Sequence, residues 1–281
     1  MSQSVHRSIL TQEVIDQLAV HSPGVYLDAT FGGGGHSQAL LEASGPRGVV
    51  WALDRDPATK RYAKELTSHY GKRFHFRVGS YEEMASLGQD FDGILFDLGL
   101  SSDQLESSGR GFSFQKIEEP LDLRFNADAG QTAAQFLSQA SLAQIGTVFR
   151  EYAEDRFWRR LAGIIVSQRR SQPIRTVGDF VSIVGTDNPK VLAPLFQGLR
   201  IQINDELNTV KEGLTAAKQV VKPGGRIAVI SFHSLEDRIV KDFFRSDEFE
   251  SVTKKPIGPS DQEIMNNPRS RSAKLRVATK R

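Results

Sequence analysis

The first hundred residues alternate two hydrophobic rhythms. Gly24-Val-Tyr-Leu-Asp-Ala-Thr30 is a short apolar run leading into glycines, and it predicts a buried strand. A helix is expected from Ser37 to Glu42, stopped by Gly45-Pro46. Gly48-Val-Val-Trp-Ala-Leu-Asp54 predicts a second strand. Asp56-Pro57 then places an N-cap before a proline at the first helical position, opening a helix that runs to about His69. Phe74-His-Phe-Arg-Val78 predicts an alternating third strand, and Gly93-Ile-Leu-Phe-Asp97 a nearly all-apolar fourth. Continuous apolar strands separated by helices imply a parallel sheet covered on both faces. The stretch Met1–Leu18 reads as a polar start followed by an amphipathic helix, not a signal peptide.

From 106 to 200 the pattern changes. Segment 106–131 is rich in Gly, Ser, charge and Phe. Helices are expected at 132–139, 141–153, 155–171 and 176–185, with Phe157, Leu161, Ile164 and Ile165 on one face of the third. The sheet pattern then returns. A helix from Asn204 to Val221 stops at Lys222-Pro-Gly-Gly225, and a fifth strand runs from Arg226 to Phe232. A helix from Ser234 to Arg245 and closing strands at 250–255 and 274–280 complete the chain. The expected organisation is an α/β core, 1–105 and 201–281, interrupted by a mainly helical insert, 106–200.

At 281 residues the chain is one large or two ordinary domains, and 39% hydrophobic with 25% charged residues supports a packed core. No apolar run approaches the roughly 18 residues of a membrane span, so a cytoplasmic protein with no membrane partner is expected. Cysteine is absent, which excludes disulfides, thiolate nucleophiles and Cys-ligated metals. The six histidines are scattered and suggest no metal site. The net charge of +2 is uneven: residues 266–281 hold six Lys/Arg and no acid, leaving the rest at −4. That pattern suggests a tail contacting a polyanion, set against a solvated terminal strand.

The chemistry concentrates at strand ends. Asp28-Ala-Thr-Phe-Gly-Gly-Gly-Gly-His36 joins a strand to a helix, where glycines let backbone N–H groups approach a ligand. Asp54 follows Gly32 by 22 residues and ends the second strand, the place of a ribose-binding carboxylate. Dinucleotides and S-adenosylmethionine both fit this grammar. Ser37 stands where the dinucleotide motif has its last Gly or Ala, and Asp28 suits the ammonium of a methionine moiety, which favours the methyl donor. Asp97 adds a third polar strand end. Methylation of pyrimidine carbon 5 usually needs an attacking thiolate. A chain without thiols points instead to nitrogen if the acceptor is a base.

Several phrases belong together. They are Asp28-Ala-Thr-Phe-Gly-Gly-Gly-Gly-His-Ser37, Leu53-Asp-Arg-Asp-Pro57, Asp97-Leu-Gly-Leu-Ser-Ser-Asp-Gln104 and Arg110-Gly-Phe-Ser-Phe114. Pro120-Leu-Asp-Leu-Arg124, Ser231-Phe-His-Ser-Leu-Glu-Asp-Arg238 and Asn267-Pro-Arg-Ser-Arg-Ser-Ala-Lys-Leu-Arg276 follow. Over nearly its whole length the chain resembles the RsmH/MraW family of bacterial 16S rRNA cytosine-N(4) methyltransferases. The resemblance implies a class I S-adenosylmethionine-dependent methyltransferase, α/β and Rossmann-like with a mostly parallel sheet, carrying an inserted helical domain for RNA recognition. It implies methyl transfer to the 4-amino group of a decoding-centre (P-site) cytidine in 16S rRNA, within the small ribosomal subunit. A homodimer is compatible with the sequence.

Matched position by position, the family's cofactor contacts fall on Gly34, Gly35, His36, Asp54, Tyr81, Asp97 and Gln104. Tyr81 stands where relatives can have Phe, and Ser8 where they have Pro. Ala153-Glu-Asp-Arg156 and a short Asn188–Phe196 stretch also depart from the pattern. Asp97 is the candidate catalytic residue, with a turn cap as the alternative. Arg110, Phe112, Asp122 and Arg124, arginine interleaved with aromatics, are candidates for a flipped base and its phosphates. The alternative for Phe112 and Phe114 is pinning the insert. His233 is a candidate for the base or phosphate, or else a helix cap. Arg159, Arg160, Arg169, Arg170 and Arg175 are candidates for an RNA-facing surface. A non-catalytic RNA-binding assembly factor and a nicotinamide dehydrogenase are the competing functions.

Overall fold

The computed structural model describes residues 8–106 and 108–281; the first seven residues of the expected N-terminal helical stretch lie outside them. Seven strands form one sheet in the order β3-β2-β1-β4-β5-β7-β6. They are β1 (Val25–Asp28), β2 (Val49–Asp54), β3 (Phe74–Val78), β4 (Phe91–Asp97), β5 (Val221–Ser231), β6 (Phe249–Ser251) and β7 (Lys274–Lys280). β1 to β5 pair in parallel, and β7 runs antiparallel to both β5 and β6. The strand order reverses between β1 and β4. In parallel sheets the crevice outside the carboxyl ends at such a reversal takes the ligand.

The chain divides into two compact units, one ending at Ser101 and resuming over Leu207–Arg281, the other Ser102–Glu206. The first unit carries the sheet with α1 (Thr11–Leu18), α2 (Gly35–Ala43), α3 (Lys60–Tyr70), most of α10 (Glu206–Val220), α11 (Ser234–Phe243) and α12 (Asp261–Asn266). Strand alternation sorts its core. Leu27, Ile94, Phe96 and Val229 pack with Leu214 and Val240 in one buried cluster, while Tyr26, Leu95, Ala228 and Ile230 pack with Val14, Leu18, Leu40 and Leu41 in another. Both faces are covered, which is why β1 and β4 read as unbroken apolar runs.

The second unit holds α4 (Ser102–Glu106), α5 (Ala133–Gln139), α6 (Leu142–Thr147), α7 (Trp158–Gln168), α8 (Val177–Val184) and α9 (Pro189–Asn204). Reciprocal capping boxes start three of these: Thr132 with Gln135, Ser141 with Gln144, and Thr176 with Asp179. A single π-helical turn, Val148–Tyr152, follows α6. Phe180 packs on Phe149 and Phe196, with centroids 6.3 and 5.5 Å apart. The sequence reading missed α9, because Pro194 and Gly198 lie inside it. Its buried stripe, Leu192, Leu195, Phe196 and Leu199, has helical spacing all the same. Leu161 and Ile165 of α7 are buried as expected, but Phe157 is 73% exposed and leaves their face.

The basic C-terminal segment is not a tail. Its strand β7 lies inside the sheet, between β5 and β6. Arg276 donates to both oxygens of Asp237 at 2.6 and 3.2 Å, and Lys274 stands 3.7 Å from the same carboxylate. Lys280 donates to the carbonyls of Lys218 and Val221 at 2.7 and 2.9 Å. Three of the six cations therefore serve the fold of the first unit. No helix among the described residues is long and apolar enough to cross a membrane.

Candidate functional site

Parallel pairing brings the ends of β1, β2 and β4 to one edge, and each ends in aspartate: Asp28, Asp54 and Asp97. Their surroundings separate them. Asp28 is fully buried; its oxygens accept from Ser37 Oγ at 2.7 Å and Thr30 N at 3.1 Å. Burial pushes its carboxyl up, opposed by the His36 charge and these hydrogen bonds. Asp28 has no exposed surface to offer a ligand ammonium, and its two hydrogen bonds fix the entry to α2.

Asp54 ties the glycine loop to β2. Its Oδ2 accepts from Gly32 N at 2.7 Å and its Oδ1 from Asp56 N at 2.8 Å. A carboxylate has about four lone-pair sites, so two remain for a hydroxyl pair. Burial pushes the carboxyl up to about 7 against the pull of the Asp56 and Gly32 amides.

Asp97 is only 16% exposed, and its Oδ1 is buried with no hydrogen-bond partner among the described residues. Such an atom is costly unless a donor arrives. Oδ2 lies 3.5 Å from Nε2 of His36, the second residue of α2. The Asp97 amide donates to Thr30 Oγ1 at 2.6 Å, clamping the β4 end to the β1 end. The turn-cap reading of Asp97 finds no support: among the described residues no backbone amide donates to its carboxylate, and its free oxygen is an acceptor in waiting. Thr30 escaped the sequence reading because nothing in one chain ties it to a residue 67 positions away.

The glycines have distinct reasons. Gly32 and Gly34 hold φ of +53° and +82°, which a side chain rarely adopts. A Cβ at Gly34 would strike the Phe31 ring at 2.9 Å, and one at Gly35 would strike Ser8 Oγ at 2.2 Å. At Gly32 the nearest atom to such a Cβ is 3.9 Å away. Gly34 and Gly35 are thus demanded by packing, and Gly32 lies on the open side of the loop. Two spare lone pairs on Asp54 and the open glycine beside it fit the ribose of a nucleoside cofactor, and the unpartnered acceptor on Asp97 stands ready for a further donor.

Tyr81 opens a 3-10 segment after β3 and packs edge-on to Phe96 at 5.3 Å. Its ring also fills the space where Gly213 has no side chain; a Cβ there would lie 2.4 Å from it. Gln104 belongs to α4 of the second unit, where its carbonyl accepts from Ser108 Oγ at 2.6 Å.

The remaining candidates are drawn into their own unit. Phe112 is 5% exposed and stacks on Phe125 at 5.9 Å, so it is core and not a platform for a base. Asp122 and Arg124 form a bidentate pair at 2.7 and 2.8 Å. Arg110 donates to the carbonyls of Phe125 and Arg124 at 2.6 and 3.2 Å. Both guanidiniums therefore brace the 110–130 loop, correcting the expectation of phosphate contacts there. Arg169 donates to Leu137 and Ala140 carbonyls at 2.9 and 2.6 Å, closing the end of α5. His233 caps α11: Glu236 N donates to its Nδ1 at 3.4 Å, and Phe232 N donates to Glu236 Oε2 at 2.9 Å. The cap reading holds for it.

Comparison with known proteins gives the family and the fold. The model of the MraW methylase family matches residues 3–281. The chain is 41% identical to a ribosomal RNA small subunit methyltransferase H of Thermomicrobium roseum, covering 98% of this chain and 93% of the relative. It is 42% identical to the protein of that name from Pseudoalteromonas atlantica, covering 99% of each. A crystal structure of a proposed rRNA-methylase from Clostridium thermocellum, 14% identical, covers 99% of this chain and all of its own at a TM-score of 0.50. The fold is class I methyltransferase-like, a Rossmann-like, mostly parallel sheet. By its sequence from end to end, the chain belongs to the MraW methylase family.

Proposed function

We propose that the protein is an S-adenosylmethionine-dependent methyltransferase acting on 16S rRNA of the small ribosomal subunit, with the 4-amino group of a decoding-centre cytidine as acceptor. The observation that carries the reading is the near-complete match to relatives named for small subunit rRNA methylation. The intact sheet edge argues against a non-catalytic assembly factor. S-adenosylmethionine, when bound, supplies an electrophilic methyl group on a sulfonium. In this reading Asp54 and the open side of Gly32 receive the ribose, and Tyr81, Gly34, Gly35 and His36 complete the donor's surroundings. Asp97 Oδ1 accepts a hydrogen bond from the cytosine amine. That bond turns the nitrogen lone pair out of conjugation with the ring and aligns it for attack.

The second unit is assigned to RNA recognition. There Phe157 stands exposed beside Trp158, and the guanidiniums of Arg150 and Arg159 lie 5.4 and 4.9 Å from that ring. Exposed aromatics with ordered arginines suit unpaired bases and their phosphates.

Asp54 makes the donor site testable. Asp54→Ala removes two charge-assisted hydrogen bonds to the ribose and should weaken donor binding by about 2–4 kcal/mol. In the wild type, ribose hydroxyls favour the ionised carboxylate. Donor affinity should therefore rise with pH and level off above the Asp54 pKa of about 7. Calorimetry from pH 5.5 to 8.5 checks both; a flat profile, or unchanged affinity in folded Asp54→Ala, removes Asp54 from the ribose. Stabilisation by NAD but not by S-adenosylhomocysteine would favour the dehydrogenase.

A further inference from the structure

His36 stands at the sheet edge beside Asp97, and its ring, unlike its backbone, has no task in the donor site. It is 5% exposed, and neither Nδ1 nor Nε2 has a hydrogen-bond partner. A buried imidazole kept only for packing satisfies its N–H. Three carboxylates face this ring from three elements: Asp97 at the end of β4, Asp28 at the end of β1 and Glu263 in α12. Asp28 is engaged by Ser37 and Thr30. Glu263 accepts from Leu10 N at 2.8 Å. Asp97 alone of the three has a buried oxygen without a hydrogen bond among the described residues, and its other oxygen is the one at ion-pair distance from His36.

On the reading that Asp97 meets the cytosine amine, we propose that His36 is a positioning residue whose side chain holds Oδ2 of Asp97, so that Oδ1 is presented to the amine. The backbone of His36 serves the donor in the reading above; the ring serves the acceptor. Without a partner on Oδ2 the carboxylate rotates freely about its last bond, and the amine meets either oxygen or neither. A charged ring also offsets the crowding of Asp97 and Asp28 at one edge. Burial disfavours the imidazolium, but Asp97, Asp28 and Glu263 outweigh it and hold the ring above its ordinary value. The charged form is thus more favoured than in an ordinary imidazole. Catalytic contacts of this kind are often long in a ligand-free site and shorten when the substrate arrives.

The consequence is specific. Removing the ring should slow transfer at saturating donor without loosening the donor. His36→Gln is expected to lower the single-turnover rate about 10–100-fold, while donor affinity by calorimetry stays within about threefold. The wild-type rate should fall as rising pH strips the imidazolium of its proton, and this limb should vanish in His36→Gln.

The test combines that kinetic comparison with an NMR titration of the His36 ring in the donor-free protein, wild type and Asp97→Asn. The proposal expects His36 to titrate above an ordinary imidazole and to drop when Asp97 loses its charge. A ring that titrates at or below the ordinary value, or ignores Asp97→Asn, overturns the pairing whatever the activity, and needs no His36 variant to fold. Transfer by His36→Gln at the wild-type rate, or a loss confined to donor affinity, overturns the positioning role and leaves the methyltransferase reading intact. If the wild type transfers no methyl group to rRNA, the reading itself fails and the proposal with it.

Discussion

Asp97→Asn is expected to lower the single-turnover rate of methyl transfer by about 10²–10³-fold, within the range for a positioned acid–base group. The substitution keeps the volume and removes the charge. Asp97 ends β4, its amide is clamped to Thr30, and its Oδ1 is buried without a partner. An asparagine there presents either a weaker acceptor or an N–H donor to the amine, and a donor opposed to a donor does not turn the lone pair outward. RNA affinity should hold, because phosphate contacts supply most of it. Donor affinity should fall by less than tenfold. Transfer near the wild-type rate would reduce Asp97 to a structural residue. An equal loss in rate and donor affinity would move its contact from the amine to the donor.

The largest effect on stability is expected at Arg276. Its guanidinium is 14% exposed and bidentate to Asp237, itself 15% exposed. Truncation leaves a half-buried carboxylate with Lys274, at 3.7 Å, and Lys241 as the cations that act on it. Breaking such a pair costs about 3 kcal/mol, or a fall of about 6–12 °C in Tm for a chain of this size. The pH dependence gives the mechanism. Burial would raise the Asp237 carboxyl, but Arg276 and Lys274 hold it below its ordinary range. A depressed folded pKa means stability present above the unfolded value and lost as pH falls through the folded one. The Arg276→Ala deficit should therefore be full at neutral pH and shrink below about pH 4. Calorimetric scans across that range check it; a Tm within a degree or two of wild type at pH 7 would contradict the pair's role.

The fold was largely legible because its signals are local. The apolar runs ending at Asp28, Asp54 and Asp97 became β1, β2 and β4, and the Asp56-Pro57 pair opened the next helical segment with Ala58 N donating to Asp56 at 3.0 Å. The glycine loop and spaced acids pointed to one sheet edge for the same reason, and parallel pairing does bring Asp28, Asp54 and Asp97 together there. What failed were choices among partners distant in sequence. An arginine beside phenylalanines reads alike whether it meets a phosphate or the carbonyls of Phe125 and Arg124. Arg124 is neutralised by Asp122 two residues away, a pairing that spacing alone does not favour. Gly35 looked like a ligand cradle, and its constraint is Ser8, brought there by the chain before α1. The basic segment 266–281 looked peripheral because β7 enters the sheet last in sequence, between strands formed earlier. His36 was placed correctly in the loop, but its pairing with Asp97 depends on the β1–β4 adjacency, which no residue spacing reveals.

The central claim concerns the atom that receives the methyl group. The most direct measurement supplies S-adenosylmethionine labelled in the methyl group to the protein with naked 16S rRNA and, separately, with small ribosomal subunits. The rRNA is then digested to nucleosides and the labelled species identified. The account predicts label in N(4)-methylcytidine, lost in Asp97→Asn. Label in 5-methylcytidine or in a 2′-O-methyl nucleoside, or rRNA that stays unlabelled with both substrates, would contradict it.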